Sequence, residues 1–178
     1  QSSTTRMKHV IIILLSVFPT MSFAQSAKVG SSVYGDFNGD GVKEYAFAVQ
    51  TQKGIGNAIE NGVPGAYSVY FSTEDIPEIP AGCCEITLIN EGDLNGDGAD
   101  DLSLYQAPMN GNTYRMETLS LKDTSWNTIV PAFMIPTAGT PLTNEELQNR
   151  VFKEDGALYY WATDPNDENF RLVRRKVI

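Results

Sequence analysis

The chain has 178 residues with 13 basic and 22 acidic side chains, a formal net charge of −9, one histidine and two cysteines. Its length suits about one domain. The negative charge argues against nucleic acid as a partner, because phosphate binding needs clustered Lys and Arg, and it favours cations.

The first part of the chain has the layout of a secretory signal peptide. An apolar run over residues 10–18 follows the basic residues Arg6 and Lys8, and small side chains at 22 and 24 occupy the −3 and −1 positions of a cleavage site. A membrane-crossing helix needs about 20 apolar residues, so this run is too short to be one. The pattern therefore predicts export.

We expect Met7 to be the natural start, with residues 1–24 comprising an upstream remnant plus the signal peptide. Residues 25–178 are then a single β domain, secreted or periplasmic, with no membrane insertion after cleavage. The only histidine, His9, lies in the leader. The remaining chain therefore cannot form a Ser-His-Asp relay or a zinc site with imidazole ligands.

Most of the remaining chain shows the two-residue alternation and the residue types of β-strands. Strands are predicted over residues 45–50, 66–72, 85–90, 102–106, 113–122, 125–130, 157–163 and 170–177. Two loops are expected, over 54–65 and 77–82. One short helix is expected, because Thr143 and Glu146 form a capping box that opens about two turns up to Val151.

The two cysteines, Cys83 and Cys84, are adjacent and cannot link distant segments. An exported protein can form disulfides. Two alternatives remain open at this point, a vicinal disulfide and a pair of small buried thiols.

An acidic, glycine-rich segment occurs twice, over residues 35–45 and again 57 residues later over 92–102. Each copy is followed by a stretch that alternates with a period of two residues, as in a strand. The second copy is also preceded by such a stretch. The repeated unit is therefore strand, acidic loop, strand.

Each acidic loop carries oxygen donors at alternate positions. Counting from the first Asp, the side chains at positions 1, 3, 5 and 9 and the backbone carbonyl at position 7 are candidate ligands. In the first loop they belong to Asp36, Asn38, Asp40, Val42 and Glu44, and in the second to Asp93, Asn95, Asp97, Ala99 and Asp101. Ca²⁺ takes 6–8 oxygen ligands at about 2.3–2.6 Å. The spacing therefore predicts two calcium sites.

The loops are not EF-hands, which require a Glu at position 12 and flanking helices. Position 12 is Phe47 in the first copy and Leu104 in the second, and both flanks alternate like strands. The neighbouring acid at position 8 of the second loop, Asp100, is expected to point outward.

The pattern Gly-Asp-Φ-Asn-Gly-Asp-Gly, followed after two intervening residues by an acid and then by an alternating strand, resembles the FG-GAP repeat of integrin-type β-propeller blades. The two repeats would cover about 33–90 and 91–142, followed by a C-terminal β extension. The resemblance implies Ca²⁺ at the ten residues named above and antiparallel, blade-like sheets. Propellers have about 4–8 blades, and four 57-residue units exceed this chain. We therefore expect an all-β fold that is not a closed propeller, with one short helix.

These segments also have simpler explanations. Asn-Gly and Asp-Gly are also common in plain hairpin turns. A third acidic stretch from Asp164 lacks the glycines, and a turn is expected there. Two larger sets of residues each have two alternative roles. A β core or a sugar-stacking platform would use Trp126, Phe133, Tyr159, Tyr160, Trp161 and Phe170. A charge-protected edge strand or a docking patch would use Arg171, Arg174, Arg175 and Lys176.

The sequence thus predicts a secreted, non-catalytic calcium-binding β module with no catalytic residues. Ca²⁺ would organise the fold, and loops would bind a surface protein or a glycan. A homo-oligomer would be one way to complete a larger assembly. The alternative is a calcium-dependent carbohydrate-active enzyme, a hydrolase or lyase, although nothing marks a nucleophile.

Overall fold

The computed structural model describes residues 28–57 and 60–177. The predicted signal peptide lies outside this range. The strands are β1 (Val29–Gly30), β2 (Ser32–Gly35), β3 (Glu44–Gln52), β4 (Ala66–Phe71), β5 (Ile79–Gly82), β6 (Ile86–Gly92), β7 (Asp101–Gln106), β8 (Thr113–Lys122), β9 (Ser125–Pro136), β10 (Val151–Glu154), β11 (Ala157–Thr163) and β12 (Leu172–Lys176). One short helix, α1, spans Asn144–Gln148. The predicted all-β class is confirmed.

The strands form three antiparallel sheets, and none of them is closed within the described residues. The first sheet has the order β2-β3-β4-β5, the second β1-β6-β7-β8-β9, and the third β10-β11-β12. Each acidic loop joins two neighbouring strands of one sheet. The first connects β2 to β3, and the second connects β6 to β7.

The second sheet lies between the other two and has a hydrophobic cluster on each face. Leu102 and Leu104 of β7 belong to the cluster shared with the first sheet. Tyr105 belongs to the cluster shared with α1 and the third sheet. All six residues of β7 are buried. The alternation along this strand therefore divides the side chains between two cores.

Two local predictions are wrong. Residues 79–82 were expected in a loop, but they form the edge strand β5, which tolerates Pro80 because an edge strand needs no donor on its free side. The helix was expected to run to Val151. It ends at Gln148, because Val151 is buried in the second cluster and begins β10 opposite Tyr160. The capping box at Thr143 is confirmed.

Within the described residues, no helix is long and apolar enough to cross a bilayer. Cys83 and Cys84 are joined by a disulfide, and the peptide bond between them is cis.

Candidate metal centre

Asp36 is the centre of the hydrogen-bond pattern in the first acidic loop. Its Oδ1 accepts from the backbone N–H of Asp40 at 3.1 Å, and its Oδ2 accepts from that of Gly41 at 2.9 Å. Gly41 has a φ of 85°, a left-handed conformation that favours glycine. The chain therefore turns tightly around the first carboxylate.

The side chains at positions 3 and 5 extend this pattern. Asn38 Oδ1 accepts from the N–H of Asp40 at 3.1 Å, and Asp40 Oδ1 accepts from that of Val42 at 2.7 Å. Asn38 Nδ2 donates to Asp40 Oδ2 at 3.1 Å. The side chains at positions 1, 3 and 5 thus bind the loop backbone, and those at positions 3 and 5 also bind each other.

Glu44 closes the loop from the start of β3. It is only 5% exposed, and its Oε2 accepts from the N–H of Phe37 at 3.0 Å. Burial raises the pKa of the Glu44 carboxyl, and repulsion by Asp40 and Asp36 adds to the rise. These causes destabilise an ionised Glu44, so a cation in the loop would lower its pKa.

One carboxylate oxygen from each of Asp36, Asp40 and Glu44 lies within 4.8 Å of the other two. Two ligand oxygens of one Ca²⁺ are at most about 5 Å apart when each lies 2.3–2.6 Å from the ion. Three carboxylates at this separation repel each other unless a cation or a proton compensates them. The three acids of the first loop could therefore hold a metal ion.

The second loop repeats the hydrogen bonding of the first. Asp93 Oδ1 accepts from the N–H groups of Gly96 at 2.5 Å and Asp97 at 3.1 Å, and Asp93 Oδ2 accepts from Gly98 at 3.0 Å. Asp97 Oδ1 accepts from the N–H of Ala99 at 3.0 Å. The two segments of similar sequence thus have the same local turn.

Asp101, at position 9 of the second loop, is fully buried. Its Oδ2 accepts from the N–H groups of Leu94 at 2.9 Å and Asn95 at 3.2 Å. Burial raises the pKa of Asp101 to about 6, although these hydrogen bonds oppose the rise. This carboxyl is therefore costly to ionise without a nearby positive charge.

The two loops differ in how closely their acids converge. Among the described residues, only the trio of the first loop brings three carboxylates within 4.8 Å. Position 9 is Glu44 in the first loop and Asp101 in the second, which is one methylene shorter. The Asp101 carboxylate is held by the amides of Leu94 and Asn95.

Two polar residues at the second loop were not predicted. Ser120 Oγ of β8 accepts from Asn95 Nδ2 at 2.7 Å and donates to Asp97 Oδ2 at 3.3 Å. The only sequence signal for Ser120 is its alternation with two leucines in a strand.

The second residue that was not predicted is Glu91, which lies where the β6–β7 register shifts. Burial and the charge of Asp101 raise the pKa of Glu91 to about 8, against a hydrogen bond from Ser103 and the charge of Lys28. Its Oε1 is buried and has no hydrogen-bond partner among the described residues. The second loop therefore has an additional buried carboxyl beside Asp101.

The two loops contact each other through Asp100. The sequence predicts that this side chain points outward, and that prediction is wrong. Asp100 Oδ2 accepts from the N–H of Asp36 at 3.1 Å and from Asn90 Nδ2 at 3.0 Å, and its own N–H donates to the Asp36 carbonyl at 2.7 Å. A Cβ at Gly35 would collide with the side chains of Asn90 and Asp100. This close approach of the first and second sheets turns Asp100 inward.

The other candidate residues lie elsewhere. Trp126 packs on the first core cluster and donates from Nε1 to the Pro77 carbonyl at 2.8 Å. Phe133 and Tyr160 pack together in the second cluster, whereas Phe170 is exposed. Trp126, Phe133 and Tyr160 thus belong to the core, whereas Phe170 does not.

The cations near the C-terminus have local partners. Arg171 pairs with Asp164 and Asp167 across the expected turn, and Arg174 pairs with Glu154 while lying 3.8 Å from the Tyr159 ring centre. Strand β12 is an edge strand of the third sheet, which agrees with the expected charged edge.

The chain matches no known family model, and neither a curated protein nor a solved structure is significantly similar to it. The likeness to the FG-GAP repeat therefore depends on the residues of the two loops alone.

Proposed function

We propose that this chain is an exported, non-catalytic calcium-binding β module of the FG-GAP type, in which each acidic loop binds one Ca²⁺. The first site would use the side chains of Asp36, Asn38, Asp40 and Glu44 and the carbonyl of Val42. The second would use those of Asp93, Asn95, Asp97 and Asp101 and the carbonyl of Ala99. Exposed loops would then bind a surface protein or a glycan.

The observation that carries this proposal is the convergence of Asp36, Asp40 and Glu44 within 4.8 Å. The same backbone pattern in the second loop, with a fully buried Asp101, supports a second site. Bound Ca²⁺ would supply positive charge that stabilises these carboxylates in their ionised form. Since β2, β3, β6 and β7 meet at the loops, the ions would stabilise the junction of two sheets.

Thermal unfolding with and without a chelator tests the proposal. At a free Ca²⁺ of about 100 times the dissociation constant, each ion stabilises the folded state by about 2.7 kcal/mol. At about 2–4 °C per kcal/mol, Tm should rise by several degrees for each ion. An unchanged Tm after complete removal of calcium would contradict the proposal.

Matched variants assign the effect to the loops. Asp40→Asn and Asp97→Asn each remove one carboxylate from one loop and should each lose about half of the calcium-dependent rise in Tm. Asp75→Asn makes the same charge change at an exposed residue outside both loops and should keep the full rise.

A further inference from the structure

A cleft lies between α1 and the third sheet, on the other side of the second sheet from the first. Its volume is about 270 Å³, near the lower end of the range for small-molecule sites. It is lined by Glu145, Glu146, Asn149, Arg150, Trp161 and Leu172. None of these residues belongs to the acidic loops, and the proposed calcium chemistry uses none of them.

One wall of the cleft is apolar and held in place. Trp161 is half-buried, its ring stacks on Phe152 with 5.8 Å between centroids, and its backbone N–H donates to the Arg150 carbonyl at 2.9 Å. Leu172 lines the same cleft and is 45% exposed. An indole ring fixed in this way offers a flat apolar face to a ligand.

The Arg150 side chain supplies donors at the base of the cleft. It is only 7% exposed, and its Nη1 donates to the Trp161 carbonyl at a long 3.4 Å. No carboxylate lies within ion-pair distance of its guanidinium in the described part of the chain. Because a guanidinium has five N–H donors, this group has capacity left for a ligand.

The opposite side of the cleft supplies acceptors. Asn149 Nδ2 donates to the Glu145 carbonyl at 2.9 Å, which leaves Asn149 Oδ1 as an acceptor. Glu146 is occupied by the capping box, where its Oε2 accepts from the Thr143 N–H at 2.8 Å. The Glu145 carboxylate has no hydrogen bond or ion pair with any described residue. The acceptors available to a ligand are thus on Glu145 and Asn149.

The charges lining the cleft define the class of ligand. The lining has charges of both signs, two carboxylates and one guanidinium, so neither an anion nor a cation meets a uniformly complementary surface. A neutral hydroxyl both donates and accepts, so it matches Glu145, Asn149 and Arg150 together. A sugar ring combines such hydroxyls with an apolar C–H face that can pack on Trp161.

We propose that this cleft binds one ring of a neutral sugar, with the ring stacked on Trp161 and its hydroxyls bonded to Glu145, Asn149 and Arg150. The size of the cleft limits the bound group to about one ring. A site of this size is expected to have a millimolar dissociation constant for a single sugar.

NMR titration of the full chain with methyl glucoside and methyl galactoside tests this proposal, with glucuronate and glucosamine as charged comparators. We expect the indole N–H signal of Trp161 to shift with at least one neutral sugar. The indole of Trp126, whose N–H is bonded to Pro77, serves as the internal control and should not shift. Stronger binding of either charged sugar, or no shift of Trp161 with any sugar, would overturn the proposal.

Two variants complete the test. Trp161→Ala should weaken binding of the neutral sugar about tenfold or more, whereas Tyr159→Ala, on the same strand but outside the cleft, should change it less than twofold. If Trp161→Ala binds the neutral sugar as tightly as the unsubstituted chain does, the proposal is overturned. Should Trp161→Ala fail to fold, Glu145→Gln at the exposed helix surface replaces it, with loss of affinity expected.

The sugar site is independent of the calcium proposal. The titration is therefore repeated with saturating calcium and after chelation on samples whose fold is verified by circular dichroism. Sugar binding in a protein that binds no calcium would contradict only the calcium proposal. Calcium binding without sugar binding would contradict only this one.

Discussion

Position 2 of each acidic loop carries an apolar side chain that anchors the loop in a core. Phe37 is fully buried in the first cluster and packs edge-on against Phe71 at 5.7 Å, and Leu94 is buried in the second cluster. The polar side chains at positions 1, 3 and 5 of both loops are half-buried or exposed. Each loop is thus positioned by one buried residue as well as by its hydrogen bonds.

Phe37→Ala should therefore lower the free energy of unfolding by about 3–5 kcal/mol, the usual cost of removing a large buried aromatic side chain. Urea denaturation measures the change. Val42→Ala in the same loop is the control, because Val42 is 66% exposed and its truncation should cost less than about 0.5 kcal/mol. A similar loss in both variants would contradict the anchoring role of Phe37.

The buried carboxyl of Asp101 gives the metal-free protein a defined pH dependence. Because burial raises the pKa of Asp101 from 3.8 to about 6, the folded state holds this proton at a pH where the unfolded chain has lost it. The contribution of the Asp101 carboxyl to the stability of the folded state is therefore greatest below pH 4. It is lost as the pH rises through about 6. The shift corresponds to roughly 3 kcal/mol.

Denaturation of metal-free protein in chelating-resin-treated buffers between pH 4 and 7 measures this loss. Glu91, whose pKa burial raises to about 8, contributes to the same decline. Asp101→Asn should therefore remove the part due to Asp101 and leave a residual decline, whereas Asp123→Asn at an exposed turn should leave the whole decline unchanged. Saturating calcium should also reduce the decline, because the ion favours the ionised carboxyl. A metal-free protein that gains stability over this range would show that the charge of Asp101 is compensated within the chain.

At the scale of elements, Asp100 links the acidic loop of the first sheet to that of the second. It accepts from Asp36 and Asn90 and donates its N–H to the Asp36 carbonyl. Asp36 is also the hub of the first loop. A substitution at Asp100, which belongs to the second loop, should therefore also affect the first loop.

Asp100→Ala leaves the Asp36 N–H without its acceptor, and we expect a loss of stability of about 1–3 kcal/mol. Calcium affinity at the first loop should fall as well, as measured by titration of an Asp97→Asn background in which the second loop is impaired. Asp100→Asn keeps an oxygen at the same place and should retain most of the stability and affinity. Equal damage from both substitutions would assign the effect to charge instead of to this hydrogen bond.

The parts that the sequence predicted well are those whose cause is local. The capping box at Thr143, the alternation in β7 and the turn of both acidic loops depend on residues within a few positions of each other. Ser120 and Asp100 could not be placed in this way, because their roles arise when strands distant along the chain come together. Strand β5 was missed because Pro80 obscured it, and β10 because Val151 was attributed to the preceding helix.

At the scale of the whole molecule, the second sheet is the centre of the structure, with a core on each face. The acidic loops lie at the end of the strand pairs where the first and second sheets approach each other. The third sheet and α1 cover the opposite face. Stabilising the loops should therefore stabilise the contact between two of the three layers.

The central claim is that each acidic loop binds one calcium ion. Isothermal titration calorimetry of Ca²⁺ into chelator-treated protein at pH 7 measures this most directly, with Mg²⁺ as the comparison ion. We expect two Ca²⁺ bound per chain and weaker binding of Mg²⁺, which demands a near-ideal octahedral site. The absence of any Ca²⁺ binding by correctly folded protein would contradict it.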